Sequence, residues 1–146
     1  LKPIWAGWEA NSAGKYSLWQ HETGTNSIYT TYVDAIESYF ETNVLGTTLG
    51  FVGSAEGGGY NLWTRLERVE PDFVQVGEMT LEILGRKFAR GGTENSGPFY
   101  FDPDTGKIDL RVEHREVRLQ FNSNTLGGNY EMGRILVTAE YGDERP

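Results

Sequence analysis

Cysteine is absent from this sequence, and histidine nearly so, with two residues in 146. Without cysteine there is no disulfide, no thiolate metal site and no cysteine nucleophile. A domain without disulfides runs against a secreted eukaryotic origin and suits bacterial or viral proteins in any compartment. Long apolar runs are missing too: none nears the roughly 20 residues that a membrane helix needs. The opening Leu1-Lys2-Pro3 has no hydrophobic signal segment and no initiator Met. The expectation is a piece of something longer, with no membrane partner. Positive charge is scarce. Lys and Arg number 13 against 21 Asp and Glu, giving a formal net charge of -8. Gripping nucleic acid takes clustered Lys and Arg that release counterions, so at most passive contact with passing DNA is expected.

What the chain does have is aromatic side chains, 13% of residues, and 19 glycines spread through turns rather than set in a repeat. Aromatics suit the pleated surface of a sheet. The length fits one domain, whose usual size is about 100–150 residues. Residues 1–14 carry Trp5 and Trp8 and close on Asn11-Ser12-Ala13-Gly14. This segment is too poor in apolar residues to fold alone. It reads as an N-terminal arm lying over another subunit or an upstream domain, or else as indoles capping the domain's own core. Residues 15–146 read as a single domain.

Strict two-residue alternation marks the strands, because successive side chains of a strand point to opposite faces. Ile108, Leu110 and Val112 alternate with Asp109 and Arg111; Val117, Leu119 and Phe121 with Arg118 and Gln120; Ile135, Val137 and Ala139 with Arg134, Thr138 and Glu140. Met79, Leu81 and Ile83 repeat the pattern, and Gly85 beyond them predicts a bulge or a close approach. Tyr16, Leu18, Trp19 and His21 form a plausible strand, and Val33 to Thr42 reads as strand rather than helix. Residues 46–61 form a glycine-broken loop. Leu62, Trp63, Leu66 and Val69 begin a strand that Glu70-Pro71-Asp72 should end or push to a sheet edge. Ala89 to Gly97 reads as a polar loop and Pro98 to Phe101 as a short strand. Asp102-Pro103-Asp104-Thr105-Gly106 predicts a tight hairpin into the next strand. Residues 122–128 should turn the chain so that the last strand lies beside the Val117 strand, and Asp143 to Pro146 should be a polar tail. About seven or eight closely spaced strands argue for an all-β fold, an antiparallel β-sandwich that is jelly-roll-like.

No residue set demands a particular chemistry. Glycosidases need two acids about 5–10 Å apart, but among 21 acidic residues no pair stands out. Asp102-Pro103-Asp104 resembles the opening of a calcium loop, yet the remaining ligands are missing and Pro103 sets a turn instead. His21 and His114 have no ligand spacing between them. Gly53-Ser54 lacks the strand-to-helix elbow of a serine nucleophile. No enzyme activity and no cofactor are expected. The four tryptophans and eight tyrosines leave room for a sugar-stacking surface.

Several segments carry a resemblance: Trp19-Gln20-His21-Glu22-Thr23-Gly24, Leu66-Glu67-Arg68-Val69-Glu70-Pro71-Asp72-Phe73, Gly97-Pro98-Phe99-Tyr100-Phe101, and above all Glu116 to Asn124 and Tyr130 to Val137. From about Tyr16 onward the chain resembles the C-terminal β-domain of tail, hub or neck proteins of tailed bacteriophages. The resemblance implies a virion structural protein that touches other virion proteins and copies of itself in a symmetric ring or complex. It places the chain in the phage particle, with Trp5, Trp8 and Trp19 as candidate interface residues. The alternative is a receptor- or glycan-binding module on a phage tail.

Overall fold

The computed structural model describes residues 4–6, 18–20, 24–28, 32–45, 62–88 and 90–144. Four short strands come first: β1 (Ile4–Ala6), β2 (Leu18–Gln20), β3 (Asn26–Ile28) and β4 (Val33–Ala35). Seven more follow: β5 (Ser38–Glu41), β6 (Leu62–Val76), β7 (Met79–Arg86), β8 (Glu94–Phe101), β9 (Ile108–His114), β10 (Glu116–Ser123) and β11 (Asn129–Glu144). These seven build two sheets, one ordered β5-β10-β7-β8 and the other β11-β6-β9, while β1-β2 and β3-β4 form two-stranded ribbons. Every pairing is antiparallel.

The pairings β7-β8, β6-β9 and β5-β10 are nested, as if one long hairpin had been folded over on itself. That winding is the jelly roll, two packed sheets built from eight strands. Seven of the eight positions are filled by β5 to β11. The next pair in the nest would join β4 to β11, but β4 pairs with β3.

The core lies between the sheets and follows the alternation. In β7 Met79, Leu81 and Ile83 point inward, in β10 Val117, Leu119 and Phe121, and in β9 Ile108, Leu110 and Val112. Burying each such side chain contributes roughly 1.5–3 kcal/mol. Phe73 of β6 reaches across to the other sheet, edge-on to Phe121 at 5.1 Å and to Phe101 at 6.2 Å between ring centroids. In β6 the buried Leu66 and Val69 are three apart rather than two. A register shift against β11, where Leu66 to Arg68 takes two steps opposite the single step from Ala139 to Thr138, inserts the extra residue and returns Val69 to the core face. Gly85 of β7 is the close approach its place in the pattern suggested: the His114 ring lies where a Cβ would stand.

Several local expectations are corrected. The strand holding Pro71 neither ends there nor lies at an edge; β6 runs through it as the centre of its sheet. Proline has no N–H for the ladder, but β9 pairs only as far as Val69. On the other side β11 is irregular between Met132 and Ile135, opposite Pro71 and Phe73. Gly133 sits in that irregularity, where any Cβ would overlap the Asp72 carbonyl oxygen. The strand expected from Pro98 begins earlier, at Glu94, and runs through a cis Gly97-Pro98 bond. Residues 102–105 do turn, with Thr105 N donating to Asp102 O at 3.0 Å. They carry the chain from one sheet to the other, however, and make no hairpin, since β8 and β9 belong to different sheets. Likewise β11 does not return beside β10 but pairs with β6 in the opposite sheet. It also extends to Glu144, taking in half of the expected polar tail. The arm is not wholly irregular, because β1 pairs with β2. The glycine-broken loop at 46–61 lies outside the described residues.

Candidate functional site

The least finished part of the sandwich is the flank where the eighth strand belongs. β11 has β6 along one side and, among the described residues, no strand along the other. Its inward side chains Tyr130, Ile135, Val137 and Ala139 pack against the core but are only half-buried, and Met132 is 46% exposed. On the facing sheet, Phe40 of the four-residue β5 is half-buried on the same cluster. Tyr130 stacks on Phe73 at 6.3 Å between centroids, so the apolar seam runs inward to the centre of the core. Asn26 of β3 ties down the foot of the seam by accepting from Gly127 N at 2.6 Å, just before β11 begins.

Edge strands of soluble proteins usually carry protective features: shortness, proline, lysine or an inward charge. β11 is 16 residues long and has neither proline nor lysine, and its inward positions from Tyr130 to Ala139 are uncharged. What it does carry is irregularity, with register shifts against β6 between Met132 and Ile135, between Thr138 and Ala139, and between Tyr141 and Glu144. The outer face of the same sheet also shows apolar side chains, with Val74 73%, Val76 56% and Leu136 52% exposed.

The ribbons present the complementary need. A two-stranded ribbon alone is marginally stable in water, and a third strand changes that. In β1-β2 the rungs are Ile4 with Gln20, Trp5 with Trp19 and Ala6 with Leu18. Two of the three tryptophans picked out from the sequence thus share one rung. Trp8 and His21 lie outside the described residues, and so does Gly53-Ser54. The residues of the β11 seam were missed as a site. Their signal was present as a clean alternation, but alternation gives a side chain's face and not whether a neighbouring strand covers it.

Groups with chemical potential elsewhere have structural employment. Asp102 Oδ1 accepts from Thr105 Oγ1 at 2.7 Å and from Asp104 N at 3.0 Å, and these bonds, the Thr105 hydroxyl foremost, hold its carboxyl below the usual range. Arg68 Nε donates to Asp109 Oδ1 at 2.8 Å across β6 and β9, which lowers the Asp109 pKa. His114 is 4% exposed, and its Nδ1 has no hydrogen-bond partner among the described residues. Burial pushes its pKa down and favours the neutral ring. No group of three or more His, Asp or Glu able to hold a metal occurs among the described residues. None of their helices is long and apolar enough to cross a membrane. Compared with known protein families and with characterised proteins, the chain matches none.

Proposed function

We propose that the chain is a structural module of a tailed-bacteriophage particle, in its tail, hub or neck, and that it works by contact between subunits and performs no catalysis. The observation that supports this reading is the β11 edge: a jelly roll with seven strands in place and an apolar seam that no strand among the described residues covers at the eighth position. The occupant is the β1-β2 ribbon of a neighbouring copy, whose β2 adds to β11 by main-chain pairing, a common mode of strand recognition. Such a contact is heterologous, and repeated around an axis it closes a ring. A net charge of -8 suits a ring through which DNA passes without adhering.

Met132→Lys tests the contact. At 46% exposure a lysine there can reach water from the isolated subunit, yet it places a charge in the seam. Light scattering after size exclusion should give an oligomer for the native chain and a monomer for the variant, with melting temperatures within a few degrees of each other. A native chain that is monomeric at every concentration, with β11 amides protected from exchange, would give the eighth position to its own ribbon and end the assembly reading. Peptides of this chain in the mass spectrum of a purified phage particle are the expected result for the location, and their absence from the particle would refute it.

A further inference from the structure

The far side of the sandwich, the outward face of the β5-β10-β7-β8 sheet, carries a feature that assembly through β11 does not use. Registers there place Tyr39 opposite Asn122, Asn122 opposite Thr80, and Thr80 opposite Tyr100. The four side chains form one straight rung across four strands, on the face turned away from the core. Three strand spacings of about 4.8 Å set the two tyrosines about 14 Å apart. Both rings stand out from the sheet, Tyr39 69% and Tyr100 63% exposed. Between them lies a trough of about 460 Å³, within the roughly 300–1,000 Å³ of ligand clefts.

The floor is ordered by hydrogen bonds. Gln120 Nε2 donates to Asn122 Oδ1 at 2.7 Å, and Asn122 Nδ2 donates on to Thr80 Oγ1 at 3.4 Å. Beside the rung, Glu82 accepts from Asn95 Nδ2 at 2.7 Å, and Glu37 accepts from Asn124 Nδ2 at 3.2 Å. Each carboxylate has about four lone-pair sites, so one amide leaves most of its accepting capacity open. The rim and floor include Glu37, Glu78 and Glu82, and among the described residues no Lys or Arg lines the trough.

Each feature narrows the ligand. Carboxylates without a basic partner repel phosphates, nucleic acids and acidic sugars. An open polar floor does not suit a purely apolar molecule, which binds in concave, mostly apolar pockets. Two separated aromatic faces, flanked by acceptors and side-chain amides, suit a molecule with apolar C–H faces and many hydroxyl donors. We infer that the Tyr39-Asn122-Thr80-Tyr100 trough is a binding site for a neutral oligosaccharide, with the tyrosines stacking on sugar rings and Glu37, Glu78 and Glu82 accepting from hydroxyls. The site is independent of the β11 seam, so either can fail without the other.

An array of neutral oligosaccharides, followed by calorimetry with the strongest binder, tests it. Removing one stacking ring, in Tyr39→Ala or Tyr100→Ala, should weaken binding about three- to tenfold each, while Tyr39→Phe and Tyr100→Phe keep the ring and most of the affinity. Both tyrosines lie outside the core, so melting curves should stay unchanged; if an alanine variant does melt early, amide shifts of Thr80 and Asn122 on titrating the native chain locate the ligand instead. No retained neutral oligosaccharide overturns the inference. So does affinity that is unchanged in both alanine variants, or shifts confined to residues off the trough. Oligolysine binding in place of sugars also overturns it, because the face would then act through charge alone.

Discussion

β10 and β11 are written in the same code and end in different surroundings. Val117, Leu119 and Phe121 alternate along β10 as Ile135, Val137 and Ala139 do along β11. In the first strand all three are fully buried, and in the second all three are half-buried. The difference lies in the neighbours. β10 has β5 and β7 on its two sides, while β11 has β6 on one. A side chain on the inner face is sealed only when strands on both sides, and the sheet opposite, close over it. Burial is thus a property of the assembly of strands and not of the strand.

Substitution should expose this difference most strongly. Phe121→Ala removes a ring in contact with Phe73 and Phe101 and should cost about 3–5 kcal/mol in urea denaturation. Val137→Ala, on the uncovered strand, should cost roughly 1 kcal/mol in the isolated subunit. If the two costs are equal, β11 is covered in solution. In the oligomer proposed above, the Val137→Ala cost should rise as protein concentration increases, while that of Phe121→Ala should not depend on β11 being covered.

A smaller effect is expected at the end of the sealed region, where Gly85 and His114 meet. Gly85→Ala pushes a methyl group into the imidazole, and overpacking of this kind costs typically 1–3 kcal/mol. His114→Ala should relieve most of it, so the double variant should be more stable than the sum of the two single changes, a coupling that a double-mutant cycle reads directly.

The mildest test is acid. The folded pKa of His114 lies below its ordinary value of 6.5 because burial disfavours the charged ring; Glu94 and Glu113 pull it up and Lys87 pushes it down. The unfolded chain therefore binds the proton first, and stability falls as pH drops below the ordinary value toward the folded one. Above that window both states are neutral and His114 contributes no slope. His114→Phe should flatten this part of the profile in thermal melts recorded as a function of pH, leaving the steeper carboxylate-driven loss at lower pH.

Much of this architecture was legible because alternation is a physical requirement. Each of β7, β9 and β10 must put its apolar residues on one side, and a slip of one position would expose the whole set. Turn chemistry was equally clear at 102–105, where Pro103 and the Asp102–Thr105 bonds do what those residues do in any turn. The destinations of the turns were not legible. A short turn looks the same whether it joins neighbours in one sheet or crosses between two, so the 102–107 and 124–128 connections were read as hairpins and are crossings. Pro71 misled for a related reason. A proline forbids a ladder bond only where a partner needs one, and neither β9 nor the irregular part of β11 needs it there. The candidate surfaces were hidden in the same way. Tyr39, Asn122, Thr80 and Tyr100 lie on four strands, up to 83 positions apart in the chain, and become one rung only through register.

The amino-acid sequence by itself determined an all-β chain, the inward face of each main strand, and an excess of negative charge. Those properties follow from local stereochemistry and from charge, which act along the chain. The tertiary structure alone decided that the strands nest as a jelly roll, that β11 has a strand on only one side among the described residues, and that two tyrosines face each other across a polar trough. Pairing between strands is a contact between distant parts of the chain, and the two-residue period carries no information about which strand lies next door.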